Sequence, residues 1–131
     1  MAMYDAADAA HVLQANLGIS GYTYPAVAST KQRVGSNIGS AGTDMTELAG
    51  SGYTPGGSAI SWNAVSGQAT SNSGALSWTN GSGSSWSIEG TEIWDPSPQR
   101  HFFGSYSGYP IYVANGNAFA EAAAGVSAAL A

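Results

Sequence analysis

The sequence predicts a mainly β fold: an antiparallel β-sandwich, Greek-key or jelly-roll-like, with a short N-terminal helix and a long Gly/Ser-rich loop. Three observations predict it. Short segments alternate apolar and polar residues at period two, and Trp62, Trp78, Trp86 and Trp94 recur inside them. Turn residues separate these segments at roughly the 8–12 residue spacing of small sandwiches. The chain has 131 residues, 44% of them hydrophobic, which is length for one core and a single domain.

The first element is the helix, expected over residues 1–20. Ala6, Ala10, Leu13 and Leu17 line one face at helical spacing. Asp5 suits the N-cap, Asp8 the first turn and Gly18 the left-handed C-terminal position. Residues 21–57 read as an extended arm or loop. Within it Tyr22–Ala28 is an edge element, because Pro25 cannot donate to a central ladder. Ser29–Gly57 is rich in Gly, Ser and Thr, carries Lys31 and Arg33, and ends in the turn signal Thr54-Pro55-Gly56-Gly57.

Residues 58–131 form the expected sandwich core. Strands are placed at Ala59–Val65, Gln68–Asn72, Ala75–Trp78, Ser85–Asp95, Arg100–Tyr106, Ile111–Ala114, Ala118–Glu121 and Val126–Leu130. Ile60, Trp62 and Ala64 share one face, as do Leu76 and Trp78, and these are the expected core faces. Between Trp86 and Asp95 the parity breaks. Either a bulge at Gly90 restores it, or the strand is buried on both sides with Glu89, Thr91 and Glu92 at an exposed margin.

Charge narrows the function classes. Only 8% of residues are charged, and three basic against eight acidic residues give a net charge of -5. That argues against nucleic acid and membrane surfaces as partners, since both need a run of cations. Without cysteine there is no disulfide, thiolate metal site or cysteine nucleophile. The first residues lack the basic region and apolar run of a signal peptide, so the expectation is a soluble product made inside the cell. A surface so poor in Lys and Glu leaves sheet edges unprotected, which burial against neighbouring copies would remedy.

Candidate chemistry is sparse. His11 and His101 lie ninety residues apart and read as surface or interface side chains. Glu89, Glu92 and Asp95 form the densest carboxylate cluster, and a carboxylate pair can run glycoside hydrolysis, but a regular strand puts Glu89 and Glu92 on opposite faces. Asp44 and Glu47 offer oxygens to a calcium ion without EF-hand spacing around them. Gly50-Ser51-Gly52-Tyr53 and Gly81-Ser82-Gly83-Ser84 complete no phosphate-loop pattern and read as turns. No catalytic residue, metal site or cofactor is expected. The candidate partner contacts are Tyr22, Tyr24, Lys31, Arg33, Tyr53, Tyr106 and Tyr109, which sit in or beside loops.

An ordered set of motifs adds to this reading: Met45-Thr46-Glu47-Leu48-Ala49-Gly50-Ser51-Gly52-Tyr53, Ile60-Ser61-Trp62, and Gln68 through Trp78. Trp86-Ser87-Ile88-Glu89-Gly90-Thr91-Glu92-Ile93-Trp94-Asp95, Phe102-Phe103-Gly104 and Gly116-Asn117-Ala118-Phe119 follow in order. Over residues 43–130 this set resembles a family of small virion proteins of tailed bacteriophages. Members are often labelled tail fibre or minor structural proteins, and related chains serve as capsid decoration proteins. The resemblance implies a β-sandwich-like domain without enzymatic activity. The chain departs from the family at Thr54-Pro55, where a basic residue commonly follows Gly-Tyr, and in the segment containing Tyr22–Ala28, Lys31 and Arg33. The expected function is that of a multicopy capsid decoration or minor capsid protein. It would act as a trimer, with the arm docking on the major capsid protein. A tail fibre or tail-tip subunit is the alternative, and a carbohydrate-active module using Glu89, Glu92 or Asp95 the distant one.

Overall fold

The computed structural model describes residues 6–17, 19, 29–39, 45–96 and 99–129, with helix side chains described from Val12 onward. The expected caps Asp5 and Gly18 and the expected edge element Tyr22–Ala28 lie outside the described residues. Among the described residues the fold is mainly β, and every strand pairing is antiparallel, with one short helix, α1 (Ala6–Leu17).

The centre of the fold is β1 (Thr30–Ser36), which corrects the expectation of a long arm. One edge of β1 pairs with β2 (Thr46–Glu47) at its C-terminal end and with β3 (Ser58–Ile60) at its N-terminal end. The other edge pairs with β7 (Gly90–Trp94), which in turn pairs with β8 (Arg100–Ser105). A polar strand can occupy this position because its ladder is filled on both sides and its buried side chains find partners.

Three two-stranded ribbons complete the fold. They are β4 (Ala69–Ser71) with β11 (Ser127–Ala129), β5 (Leu76–Thr79) with β10 (Ala118–Glu121), and β6 (Trp86–Ile88) with β9 (Ile111–Val113). All eight expected strands have counterparts among β3 to β11, the segment Ser85–Asp95 being divided at Glu89 into β6 and β7. There the chain changes partners: Glu89 N donates to Gly35 O at 2.9 Å, and Tyr106 N donates to Glu89 O at 2.9 Å. β7 is buried along its whole length, as the second reading of this segment expected, but Thr91 and Glu92 are buried rather than marginal. Ala64, expected on a core face, is exposed, and Trp62 is half-buried because β3 ends at Ile60.

Residues opposite one another in an antiparallel sheet share a face, so the register sorts the side chains. Thr30, Gln32 and Val34 lie on one face with Ile60, Ile93, Thr91 and Phe102. This face carries the core. One apolar cluster joins Val34 to Leu48, Tyr53, Trp78, Trp86, Ile88 and Val113. A second joins Ile60 and Ile93 to Leu13, Leu17, Ile19 and Ala128. Burying Leu13 and Leu17 here stabilises by about 1.5–3 kcal/mol each, which is what holds α1 to the sheet.

A polar network belongs to the same core face, on which Gln32 stands between Thr30 and Val34. Gln32 Nε2 donates to Glu121 Oε2 (2.6 Å) and to Tyr106 Oη (3.2 Å), and Tyr106 Oη donates to Glu121 Oε1 (2.8 Å). Gln32 is fully buried, and its Oε1 has no hydrogen-bond partner among the described residues. Tyr106 was expected as a partner contact; it is instead half-buried with its hydroxyl in this network.

Strand spacing imposes one further constraint. Gly35 and Gly90 face each other across β1 and β7. A Cβ on Gly35 would overlap the Thr46 carbonyl, and one on Gly90 would overlap the Gly104 carbonyl. Gly35→Ala is therefore expected to lower the unfolding free energy by about 1–3 kcal/mol, the usual range for overpacking. Urea unfolding of the two proteins measures it, and an unchanged midpoint would refute the close approach.

Candidate functional site: a cation–aromatic face

The other face of the same sheet has a different character. Lys31 and Arg33 alternate with the core-facing residues of β1, and opposite them stand Trp94 and Glu92 of β7, then Arg100 and Phe103 of β8. The chain has three basic residues in all, and the register puts all three on this face.

The face is built in two layers. Glu92 is fully buried and accepts from Gly39 N (2.6 Å), Trp94 Nε1 (3.0 Å) and Arg100 Nη1 (3.1 Å). A buried carboxylate needs such compensation, because desolvating it unpaired costs several kcal/mol. Above this layer the guanidinium of Arg33 lies 4.0 Å from the centroid of the Trp94 ring, and that of Arg100 lies 4.9 Å from the centroid of Phe103. Stacking of this kind orients a planar cation. Arg33 Nε is buried without a hydrogen-bond partner among the described residues. Lys31 is exposed, and Phe103 is 60% exposed although it is a large apolar ring.

The register also puts Glu47, opposite Gly35, on this side of the sheet, so three cations share it with the carboxylates of Glu47 and Glu92. Arg100 is neutralised by Glu92, whereas neither Lys31 nor Arg33 forms an ion pair among the described residues. Two cations without an ion pair among the described residues, on a face with an exposed aromatic ring, suit a partner that presents carboxylates around an apolar patch. Two charges are too few to follow a nucleic-acid backbone.

The expected contacts divide accordingly. Lys31 and Arg33 come together on this face, on a paired strand rather than a loop. Tyr109 is exposed in the β8–β9 connection, by 55%. Tyr53 is a correction: it is buried, donating from Oη to Glu47 Oε1 (2.6 Å) while accepting from Val34 N (3.2 Å). Tyr22 and Tyr24 lie outside the described residues. Trp94, Glu92, Arg100 and Phe103 were not singled out as contacts, yet the two-residue spacing of Lys31 and Arg33 is itself the signature of one strand face.

The remaining candidates are engaged locally. Glu89 accepts from Asn37 N at 3.2 Å, and Asp95 accepts from Gln99 N (3.0 Å) and lies 2.7 Å from His101 Nε2. Glu47 also accepts from Gly56 N at 3.0 Å, while Asp44 and the His11 side chain lie outside the described residues. Among the described residues no cluster of three or more His, Asp or Glu could hold a metal ion. The two glycine-serine segments are turns packed on each other, Gly81 N donating to Ser51 O at 2.8 Å.

Burial, reinforced by Glu47 and Glu121 respectively, raises the pKa values of Tyr53 and Tyr106 well above the ordinary tyrosine value of about 10. A tyrosine of the unfolded chain ionises near that value, so this stabilisation is fully present below about pH 10 and is lost as pH rises toward the folded values. Stability measured by urea unfolding is expected to fall by about 1.4 kcal/mol per pH unit for each of the two above pH 10, and Tyr53→Phe with Tyr106→Phe is expected to remove that slope. A slope unchanged in the double variant would refute the assignment. Comparison with protein-family models and with curated proteins finds no match to this chain.

Proposed function

We propose that the chain is a non-enzymatic structural subunit of a tailed-phage virion, a multicopy capsid decoration or minor capsid protein that docks through the cation–aromatic face. The observation that carries the docking is the collection of every Lys and Arg of a net-acidic chain onto one sheet face, beside an exposed phenylalanine. The motifs over residues 43–130 support the virion setting through the resemblance they carry. The ribbons and helix on the core side of the five-stranded sheet support a sandwich-like body. Because Glu89, Glu92 and Asp95 are held by separate partners, a carboxylate pair for hydrolysis has less support than docking.

In this reading the subunit binds the assembled shell and not its separated proteins. Saturating it at a hundredfold over Kd would stabilise the shell by about 2.7 kcal/mol per site. Docking rests on the rigid sheet, so deletion of residues 31–42 would remove the central strand and report on folding rather than docking. Tyr109 and Tyr112, 55% and 72% exposed, favour a second reading, a tail-fibre or tail-tip subunit that meets the host surface through aromatic side chains.

The test is Lys31→Glu, which reverses an exposed charge and touches no core residue. It is expected to leave the thermal midpoint within a few degrees of the parent and to weaken binding to particles stripped of the protein by about tenfold at low salt. Co-sedimentation measures the binding. Equal binding by the variant would overturn the docking face, and counting copies per particle by quantitative mass spectrometry separates shell from tail.

A further inference from the structure

A groove of about 340 Å³ runs between β8 and β11. Residues 102–106 line one wall and 125–129 the other, with Trp62, Thr91 and Ile93 between them. A strand that turned only a face toward a groove would contribute every second residue. Consecutive residues mean that the walls are strand edges. Among the described residues β8 pairs only with β7, and β11 only with β4, so each has one edge without a partner strand.

The register identifies the groups on those edges. Tyr106 N donates to Glu89 O, which makes Gly90–Ser105 a non-hydrogen-bonded pair and turns the N–H and C=O of Ser105 and of Phe103 away from β7. Asn72 N donates to Val126 O at 3.0 Å, which does the same for Ser71–Ser127 and turns the N–H and C=O of Ser127 and Ala129 away from β4. All four residues line the groove. On each wall the outward groups recur every second residue, roughly 7 Å apart, the repeat of an extended chain.

We propose that this groove receives an extended, uncharged segment of another protein subunit, added as a strand between β8 and β11. Two edges that line one groove and each present alternating donors and acceptors complement a backbone carrying both on both of its sides, and that is an extended polypeptide. No charged residue lines the groove among those described, and Gly104, Gly125 and Ala128 keep the walls low, so the segment is neutral with small side chains. Five residues on each wall give room for about five residues of the incoming strand. The proposal goes beyond the docking face and does not depend on which assembly the protein joins.

Backbone amide exchange of the full chain, followed by NMR, is the test. The probe is a pooled library of acetylated, amidated hexapeptides composed of Gly, Ala, Ser, Thr and Val. In the free protein the amides of Phe103, Ser105, Ser127 and Ala129 are expected to exchange faster than those of Phe102, Gly104 and Ala128. Saturating peptide is expected to slow the four by at least tenfold, and the same pool N-methylated at alternate residues is expected to leave them unchanged. Ser105→Pro removes an outward N–H that the β7 pairing does not use, and is expected to weaken the peptide by tenfold or more. No protection by the peptides, equal protection by the N-methylated pool, or protection by cellohexaose alone would overturn the proposal. If the proline variant does not fold, the N-methylated comparison decides it.

Discussion

The pairing of β1 on both of its edges is the constraint on which the rest of the structure depends. With β2 and β3 on one side and β7 on the other, the strand has no freedom of register, and its two-residue alternation becomes a division of labour. Thr30, Gln32 and Val34 face the core, and Lys31 and Arg33 face away from it. A shift of one residue would bury both cations and expose Val34, so the core and the cation–aromatic face are specified by the same backbone bonds.

The core itself is organised around polarity. Gln32, Tyr106 and Glu121 bring β1, the segment after β8 and β10 together through three hydrogen bonds, on the face that bears both apolar clusters. Such a network contributes less to net stability than an apolar filling of equal volume would, because each group gives up water to make its bonds. Its effect is on specificity: strands as short as three residues with small side chains are prone to slip, and directional bonds between distant segments penalise each slipped arrangement. The same logic holds at Asn72 and Asn80, whose buried side chains bind backbone groups of neighbouring turns.

What was legible in the sequence follows from what each strand buries. Segments built on Trp78, Trp86, Ile88 and Ile93 announce themselves, because an aromatic or branched residue at every second position has few uses other than a half-buried strand. Turns at Gly67, Gly108 and Gly116 were equally plain, and all three adopt the positive φ that favours glycine. Thr30–Ser36 reads as loop from the sequence because its composition is polar. Its burial depends on partners that are far away in sequence, Glu121 for Gln32 and Trp62 for Thr30. Local pattern cannot report such compensation. The cation–aromatic face is half legible: Lys31 and Arg33 stand out in the sequence, while Trp94, on which Arg33 stacks, and Glu92, which accepts from the Trp94 ring, belong to a strand remote in sequence. Glu92 was placed at a margin because a carboxylate is rarely fully buried, and here three donors make the exception.

The placement of all three basic residues on one side of a chain with net charge -5 also gives the described part of the molecule an uneven distribution of charge, and with it a dipole. Repulsion by an acidic surface acts on the net charge, but torque acts on the dipole, and at close range the torque rotates the positive side inward before contact. A molecule of this design would approach such a surface slowly and arrive already oriented, so that orientation is selected during diffusion instead of by trial after collision.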